Sequence, residues 1–450
     1  MPSALSVHIA SPSVADKSQR RLGNGLTPQA ISAVMRMADL GYMHTYADLL
    51  DEVRQADPHM QGILQKRELR VAGAAYEVRP GEGKGRKTQR EAAAKYCQEI
   101  IDTLEVPAGS QALSFVDLLG HLATAPYHGR SVSEQLWARD GRWLRPVQIE
   151  PIHARRLAYP APNWKLHLWD ATAYDTPFMA FPGVPLDDPK VFPDGKLIVH
   201  TPRIYGTYPT REGLGRCLVW YAAFKRWDIR DWIAFAEWAG RGLRIGKYAT
   251  GRDPKNPARA DPADVEVLKE VMELMSSSVS AAIPDVTELA IHPPPGNQEV
   301  HERLLMTCNG EMSKAVLGGT LTTEAGERGA RSLGDTQERG EIAIAVSDAR
   351  RIEQCIRRDL FRPAVRERFG DSVAIPTLCL QVEPKESLDS LAARADKLAG
   401  RGLAIPAIWL RDQMGIPEPK DGEETIGGNT ATTPQTPAGP NQGTGQEPPN

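Results

Sequence analysis

One segment constrains the fold more than any other: residues 213–240 have the pattern of a single helix that carries four tryptophans. Its apolar side chains recur along two stripes, one through positions 220, 224, 227, 234 and 238 and the other through 218, 221, 229, 232 and 236. A helix with two apolar faces must be covered on two sides. Burial deep in one core would cover both faces, and so would a position between neighbouring subunits of a ring.

The composition is that of a soluble protein that does not coat nucleic acid. The chain has 450 residues, of which 41% are hydrophobic and 25% charged, and its formal net charge is −3. A balance so close to neutral excludes DNA binding through bulk basicity, although it allows DNA to slide past. The five cysteines are scattered without a Cys-x-x-Cys pair, which indicates reduced, mostly buried thiols and neither a disulfide framework nor a zinc site.

The sequence predicts neither secretion nor a membrane span. Residues 1–25 lack the apolar core of a signal peptide. The most apolar long segment, 217–239, carries six charged side chains, which are too many for a transmembrane helix. We therefore expect a soluble protein without membrane contact.

The first region of the chain, 28–207, has a mixed α/β pattern. Thr27-Pro28 and Asp57-Pro58 each combine a capping side chain with a first-turn proline, which predicts two helix starts. Alternating apolar runs bounded by Gly, Pro and Asp predict strands further on. These runs cover 132–139, 143–149, 157–168 and 196–200.

The later regions are more helical. A strand–helix–strand module is predicted from runs at 243–248, 262–277 and 286–292. A long helix follows at 339–369, and Pro363 should kink it or end it early. Residues from 419 onward are mostly Gly, Pro, Thr, Asn and Gln, which predicts a disordered tail.

A glycine-rich loop at 317–334 has the look of a phosphate cradle but fails its requirements. A P-loop needs a lysine after its last glycine, and no lysine lies between Lys314 and Lys385. A dinucleotide fingerprint should follow a buried strand, whereas this loop follows the end of a helix with Gly318 as its stop. The loop is therefore predicted to be a mobile connection between helices and not a nucleotide site.

No catalytic or metal site is predicted anywhere in the chain. The sequence contains no His-Glu-x-x-His motif, no acidic calcium loop and no Gly-x-Ser-x-Gly elbow. His121 and His128 are seven residues apart, but Pro126 breaks any helix face that they could share. We therefore predict no catalytic residue, no cofactor and no metal, and a protein that is not an enzyme.

Several segments, taken together, carry a resemblance to one family. They are Tyr46-Ala-Asp-Leu-Leu, Asp57-Pro-His-Met, Gln65-Lys-Arg67, Tyr76-Glu-Val, Gly129-Arg-Ser-Val-Ser-Glu-Gln-Leu-Trp137, Phe224-Lys-Arg-Trp, Trp232-Ile-Ala-Phe-Ala-Glu-Trp-Ala-Gly240, Ser313-Lys-Ala-Val-Leu-Gly-Gly-Thr-Leu-Thr-Thr-Glu324 and Gly415-Ile-Pro-Glu-Pro419. In this order and spacing they resemble the portal proteins of Mu-like tailed bacteriophages, over about residues 27–420.

The resemblance implies an α+β chain with the tailed-phage portal fold. That fold has a mixed α/β wing, a helical stem, a small α/β clip and a long crown or tunnel helix. The implied map is a flexible leader (1–27), the wing (28–207), a stem helix (208–240), the clip (241–297), a second stem helix (298–318), a tunnel loop with the long helix (319–370), a wing and crown return (371–418) and a disordered tail (419–450).

The resemblance also implies a function and partners. Copies of the chain would form a ring, dodecameric in this family, at one capsid vertex in the virion, after assembly in the host cytoplasm. Double-stranded DNA would pass through the ring during packaging and ejection. The implied partners are the terminase large subunit, the major capsid or scaffold protein and the head–tail connector. Two alternatives remain open: a packaging-associated nuclease or NTPase, and a monomeric capsid-assembly adaptor.

Three groups of residues are the candidates for these roles. Subunit contacts in the stem are expected at Trp220, Phe224, Trp227, Trp232, Phe235 and Trp238. Contact with DNA in the channel is expected at Thr320, Thr322, Thr323, Arg328 and Arg331. Partner docking at the clip is expected at Lys247, Arg252, Lys255 and Arg259.

Overall fold

The computed structural model describes most of the chain as a mixed α/β architecture. It describes residues 26–169, 183–206, 208–241, 244–248, 266, 280–284, 298–320, 330–383 and 388–418. The predicted leader and tail lie almost entirely outside these residues. The chain divides into two compact units, Met1–Glu383 and Pro384–Asn450.

Six helices occupy the first part of the larger unit. They are α1 (Pro28–Asp39), α2 (His44–Ala56), α3 (Pro58–Ala72), α4 (Lys87–Asp102), α5 (Phe115–Ala123) and the short α6 (Ala125–His128). Both predicted proline starts are confirmed. The Thr27 hydroxyl accepts from the Ala30 amide at 3.2 Å, and the Asp57 carboxylate accepts from the Met60 amide at 2.9 Å.

Two three-stranded sheets follow in this region. Their strands are β2 (Ser131–Asp140), β3 (Trp143–Ile152), β4 (Leu157–Ala158), β5 (His167–Trp169), β6 (Gly183–Pro185) and β7 (Leu197–His200), and the orders are β3-β2-β7 and β4-β5-β6. The predicted strand 157–168 is wrong as one element. It forms β4 and β5, which pair with each other, because prolines 160 and 162 lack the amide donors that a continuous strand needs.

A further sheet joins distant parts of the larger unit. The strand β1 (Ala75–Arg79) pairs antiparallel with a late strand, β10 (Thr377–Gln381), so that Tyr76 lies opposite Leu380. A sequence pattern alone does not say which strand pairs with which.

The helical part of the larger unit contains α7 (Gly215–Arg241), α8 (Gln298–Leu317) and α9 (Ala330–Ile356). Two short strands, β8 (Arg244–Tyr248) and β9 (Ser280–Pro284), pair in parallel. The strand that pairs with β8 is therefore β9, which ends before the predicted second strand of this module, 286–292. Residues 286–292 lie outside the described residues. The predicted helix 262–277 also lies there, except that residue 266 is helical.

The long helix changes its geometry before Pro363. A π-helical turn, Arg357–Phe361, separates α9 from α10 (Arg362–Phe369). Pro363 has no amide to donate to the carbonyl of Asp359, four residues earlier. The buried side chain of Gln135 donates to that carbonyl instead, at 2.9 Å. The expected disturbance at Pro363 is confirmed, but the helical segment continues past it to Phe369. The predicted start at 339 is wrong, because α9 begins at Ala330.

The two largest hydrophobic clusters of the described residues lie inside the larger unit. One packs α4 and α5 against α9, α10 and the strands, with Leu118, Ile352 and Phe361 fully buried. The other joins α1, α2 and α3 to α7 and α8, with Tyr46, Met60 and Met312 fully buried. The smaller unit contains α11 (Leu388–Ala399) and α12 (Ala407–Met414), and the left-handed Gly415 ends α12 as its sequence indicates.

A fully buried ion pair connects β2 with the residue that directly precedes β7. The Lys196 ammonium is 2.5 Å from the Glu134 carboxylate, and both side chains are 0% exposed. A pair of this kind is costly to break, because the remaining charge has no water to solvate it.

We expect Glu134→Gln to lower the free energy of unfolding by about 3–5 kcal/mol, because it removes the carboxylate charge that lies 2.5 Å from the fully buried Lys196 ammonium. Replacing both residues, by Glu134→Leu with Lys196→Met, should recover most of that loss. Urea denaturation followed by circular dichroism measures both effects. The control is Glu77→Gln, which breaks an exposed pair with Arg79 and should change nothing measurable. An equally small effect at Glu134 would contradict the assigned role.

Candidate subunit-interface helices and channel loop

The helix α7 is buried along its first half and open along its second. Leu218, Val219 and Ala223 are fully buried in the core that α7 shares with α1, α2 and α3. Ile229 and Ile233 are 40% and 56% exposed. The two apolar faces are thus covered by the chain itself only near the start of the helix.

Five of the six aromatic candidates on α7 have described side chains, and these fall into three environments. Trp220 and Trp227 pack at the edge of the chain's own core, and the Trp227 indole donates to the Leu26 carbonyl at 2.7 Å. Phe224 is 41% exposed beside them. Trp232 and Phe235 lie further along against α8, and the side chain of Trp238 lies outside the described residues.

One histidine of α8 holds the open half of α7. His301 Nδ1 lies 2.8 Å from Asp228 Oδ1, and the imidazole stacks on the Trp232 ring at 6.0 Å with an interplanar angle of 6°. The Phe235 ring lies 6.2 Å from the same imidazole. The two helices therefore remain together beyond the point where the core ends.

The helix α8 adds exposed apolar residues that sequence reasoning missed. Val300, Leu304 and Met306 are 62%, 40% and 54% exposed. Val300 and Leu304 are four residues apart and so share one helix face. Their spacing was visible in the sequence, but charged neighbours on both sides hide such a stripe from a search for long apolar runs.

A polar band connects these two helices to α3. Lys225 Nζ of α7 lies 2.7 Å from Asp57 Oδ2, and the two side chains are almost fully buried. His59 Nε2 lies 2.9 Å from Ser313 Oγ and 3.0 Å from the Asn309 carbonyl, both on α8. Lys225 thus pairs with Asp57, although Asp228 lies only three residues further along the same helix.

The described cysteines are not arranged for chemistry. None of the five forms a disulfide, and Cys97, Cys308 and Cys355 are buried. Burial raises the pKa of the Cys308 thiol on α8, and the same cause raises the pKa of Cys97 and Cys355. Protonated buried thiols are poor nucleophiles.

The structure describes only the beginning and end of the candidate channel loop. Gly318 adopts a left-handed conformation (φ +79°) and its amide donates to the Lys314 carbonyl, which ends α8 where the sequence indicates. Thr320 is partly buried directly after it. Thr322, Thr323 and Arg328 lie outside the described residues. Arg331 lies in the first turn of α9, and its side chain is not described.

The candidate docking residues are mostly outside the described part of the chain. Lys247 lies on β8, and only its backbone is described. Arg252, Lys255 and Arg259 fall within 249–265, outside the described residues.

A cavity of about 550 Å³ lies between the loop before β7 and the π-helical turn. Its rim carries three ion pairs: Lys165 with Asp187 at 2.6 Å, Arg358 with Asp359 at 2.6 Å and Arg362 with Asp194 at 3.1 Å. Its lining includes no Ser, Cys or His that could act as a nucleophile or a general base. No group of three metal-ligating side chains occurs among the described residues either.

The described helices include none that is both long enough and apolar enough to cross a membrane.

Comparison with known proteins identifies the family. Residues 47–416 match the family model described as the portal protein of Mu bacteriophage. The chain belongs to this family. Its function is therefore that of a phage portal protein, and the resemblance inferred from the motifs is confirmed.

Two relatives match along nearly the whole chain. The portal protein of Escherichia phage Mu is 25% identical over 417 residues, which cover 92% of this chain and 75% of the phage Mu protein. The Mu-like prophage FluMu protein gp29 of Haemophilus influenzae is 27% identical over 412 residues, which cover 90% of this chain and 73% of the relative.

A solved structure of a native gene transfer agent virion contains a chain with a TM-score of 0.48 and 13% identity. The alignment covers 87% of this portal chain and 94% of that one.

The packing of Trp227 leads to one prediction about this portal protein. Trp227→Phe removes the indole donor to the Leu26 carbonyl, and we expect the free energy of unfolding to fall by about 1 kcal/mol. Chemical denaturation measures the change. Trp220→Phe, on the same helix but without such a bond in the described structure, should cost less; an equal cost would show that ring volume and not the hydrogen bond matters.

Proposed function

We propose that this portal protein forms a dodecameric ring at one capsid vertex, through which double-stranded DNA is packaged and later ejected. Membership of the portal family carries the proposal. The apolar positions left open on α7 and α8 support it, because a single chain leaves them exposed and a neighbouring copy would cover them.

The ring contact that we propose is heterologous. The open half of α7 in one subunit, with Phe224, Ile229 and Ile233, packs against the open face of α8 in the next subunit, with Val300 and Leu304. A head-to-tail contact between two different surfaces closes into a ring when the rotation between subunits permits it. In this arrangement residues 208–240 and 298–318 are the stem.

The proposed channel lets DNA pass without holding it. The net charge of −3 gives the chain little general affinity for phosphates. We place the loop 319–334 beside the channel, where Thr320, Thr322 and Thr323 offer uncharged polar contact and Arg328 and Arg331 touch the backbone transiently. The long helix up to residue 370 follows this loop in the tunnel.

The remaining regions supply the proposed partner contacts. Residues 241–297 form the clip, whose Lys247, Arg252, Lys255 and Arg259 bind acidic surfaces of the terminase large subunit and afterwards of the head–tail connector. Residues 28–207 with 371–418 form the wing and crown, next to the major capsid or scaffold protein. The ring assembles in the host cytoplasm and remains in the virion.

We also propose that the chain itself is not an enzyme. Its described cavity supports this, since the lining includes no Ser, Cys or His and its Asp187, Asp194 and Asp359 carboxylates are each paired with a cation. Metal-dependent hydrolysis of DNA or nucleotide by the purified protein, abolished by a single carboxylate change, would favour a packaging-associated nuclease or NTPase instead.

The ring is tested at the most exposed apolar position of α7. We expect Ile233→Asp to prevent ring formation while the subunit stays folded, because a carboxylate at an apolar contact between copies is buried without a partner. Negative-stain electron microscopy and native mass measurement give the assembly state, and circular dichroism gives the fold.

The matched control is Val116→Asp, which makes the same kind of change at a 47% exposed valine on α5 and should leave rings intact. Rings that persist in Ile233→Asp would contradict the proposed contact. Wild-type protein that remains monomeric at every concentration would favour the adaptor.

The channel loop is tested separately. Replacing Arg328 and Arg331 by alanine should leave rings intact and change the amount of DNA packaged or retained per particle, because two backbone contacts are lost. Quantification of DNA in purified particles measures the effect. Arg139 and Arg142, exposed on the β2–β3 hairpin, provide a control with the same charge loss. Unchanged DNA content in the loop variant would remove both arginines from the channel.

A further inference from the structure

Arg130 is a buried charge that has no carboxylate partner among the described residues. It follows the left-handed Gly129 and is 2% exposed. Its guanidinium donates to the carbonyls of Ala154, Leu157 and His128 at 3.3, 3.4 and 3.4 Å, which are long hydrogen bonds. Its Nε has no hydrogen-bond partner among the described residues. An unpaired buried charge is strongly unfavourable, so something must compensate it.

Two more buried donor atoms without partners in the described structure belong to Tyr46 and Arg216, and the charges of Arg130 and Arg216 both act on the Tyr46 hydroxyl. The hydroxyl of Tyr46, on α2, is fully buried and has no partner in the described structure, and the same holds for Nε of Arg216, at the start of α7. The Arg216 guanidinium carbon is 5.7 Å from the centre of the Tyr46 ring. Burial raises the pKa of Tyr46, against the opposing effect of both guanidinium groups, so the hydroxyl remains a donor.

The nearby carboxylates are engaged elsewhere. Asp39 binds both Arg211 and Arg216. The buried carboxylate of Glu212 accepts from the amides of Tyr205 and Gly206, at 3.1 and 2.6 Å. The aromatic face of Tyr159 lies 5.6 Å from the Arg130 guanidinium carbon and compensates its charge only in part.

We propose that the junction of Tyr46, Arg130 and Arg216 binds a small inorganic anion such as chloride. A monatomic anion accepts from the Tyr46 hydroxyl and from Nε of both arginines, and its charge balances Arg130. The bound ion would connect α2, the segment that enters β2, and the first turn of α7. This inference is independent of the ring and of the channel.

The test uses the full-length wild-type protein, with sodium chloride exchanged stepwise for sodium gluconate at constant ionic strength. A ligand that binds only the folded state raises the apparent thermal midpoint by mass action. We expect a saturable rise of about 2 °C or more in chloride at a fixed scan rate. An unchanged midpoint across the series would overturn the proposal.

Two tyrosine variants separate a specific site from a general salt effect. Tyr46→Phe removes only the unpaired hydroxyl and should reduce the chloride-dependent rise by half or more. Tyr127→Phe is the matched control: Tyr127 is equally buried, but its hydroxyl donates to the Leu50 carbonyl at 2.7 Å. Tyr127→Phe should show the full chloride-dependent rise in thermal midpoint, even where its midpoint differs from that of the wild type. An equal response in both variants would contradict the site.

Diffraction with bromide in place of chloride provides a second measurement that needs no variant. An anomalous peak beside Arg130 Nε in wild-type crystals would support the site. Bromide peaks confined to the molecular surface would overturn it, even if Tyr46→Phe failed to fold.

Discussion

The packing of the larger unit depends on charged side chains at the two ends of α3. At its start, Asp57 caps the helix and also binds Lys225 of α7. Near its end, Arg67 binds Asp348 of α9 at 2.7 Å and donates to the carbonyl of Val316, on α8, at 3.0 Å. These contacts are directional and largely buried, so they fix how α7, α8 and α9 lie along α3, whereas apolar packing alone would tolerate sliding.

A second connection joins α9 to the central sheet through the π-helical turn. Asp359 accepts from the amide of Val199 in β7 at 2.8 Å, and Gln135 of β2 binds the carbonyl that Pro363 leaves unpaired. The free edge of β7 is thereby blocked by side chains and cannot pair with another strand. The same helix that would line the proposed tunnel is thus held by α3 near its middle and by the sheet near its end.

The sequence was most informative where local chemistry decides the outcome. The capped starts at Thr27 and Asp57, the stop at Gly318 and the disturbance before Pro363 follow from side chains within a few residues of each site. The period of α7 correctly indicated two apolar faces. It did not indicate that the chain covers the first half of the helix and leaves Ile229 and Ile233 open, because periodicity reports polarity and not the identity of a neighbour.

By itself, therefore, the sequence determined several helix starts and stops and the family of this portal protein, because these follow from local patterns and their order along the chain. Only the tertiary structure decided which distant groups meet. It paired β1 with β10, placed Lys225 on Asp57 and His301 on Trp232, and brought Tyr46, Arg130 and Arg216 to one junction. Such partners are far apart along the chain, and their meeting depends on the balance of all the packing at once, which no local pattern encodes.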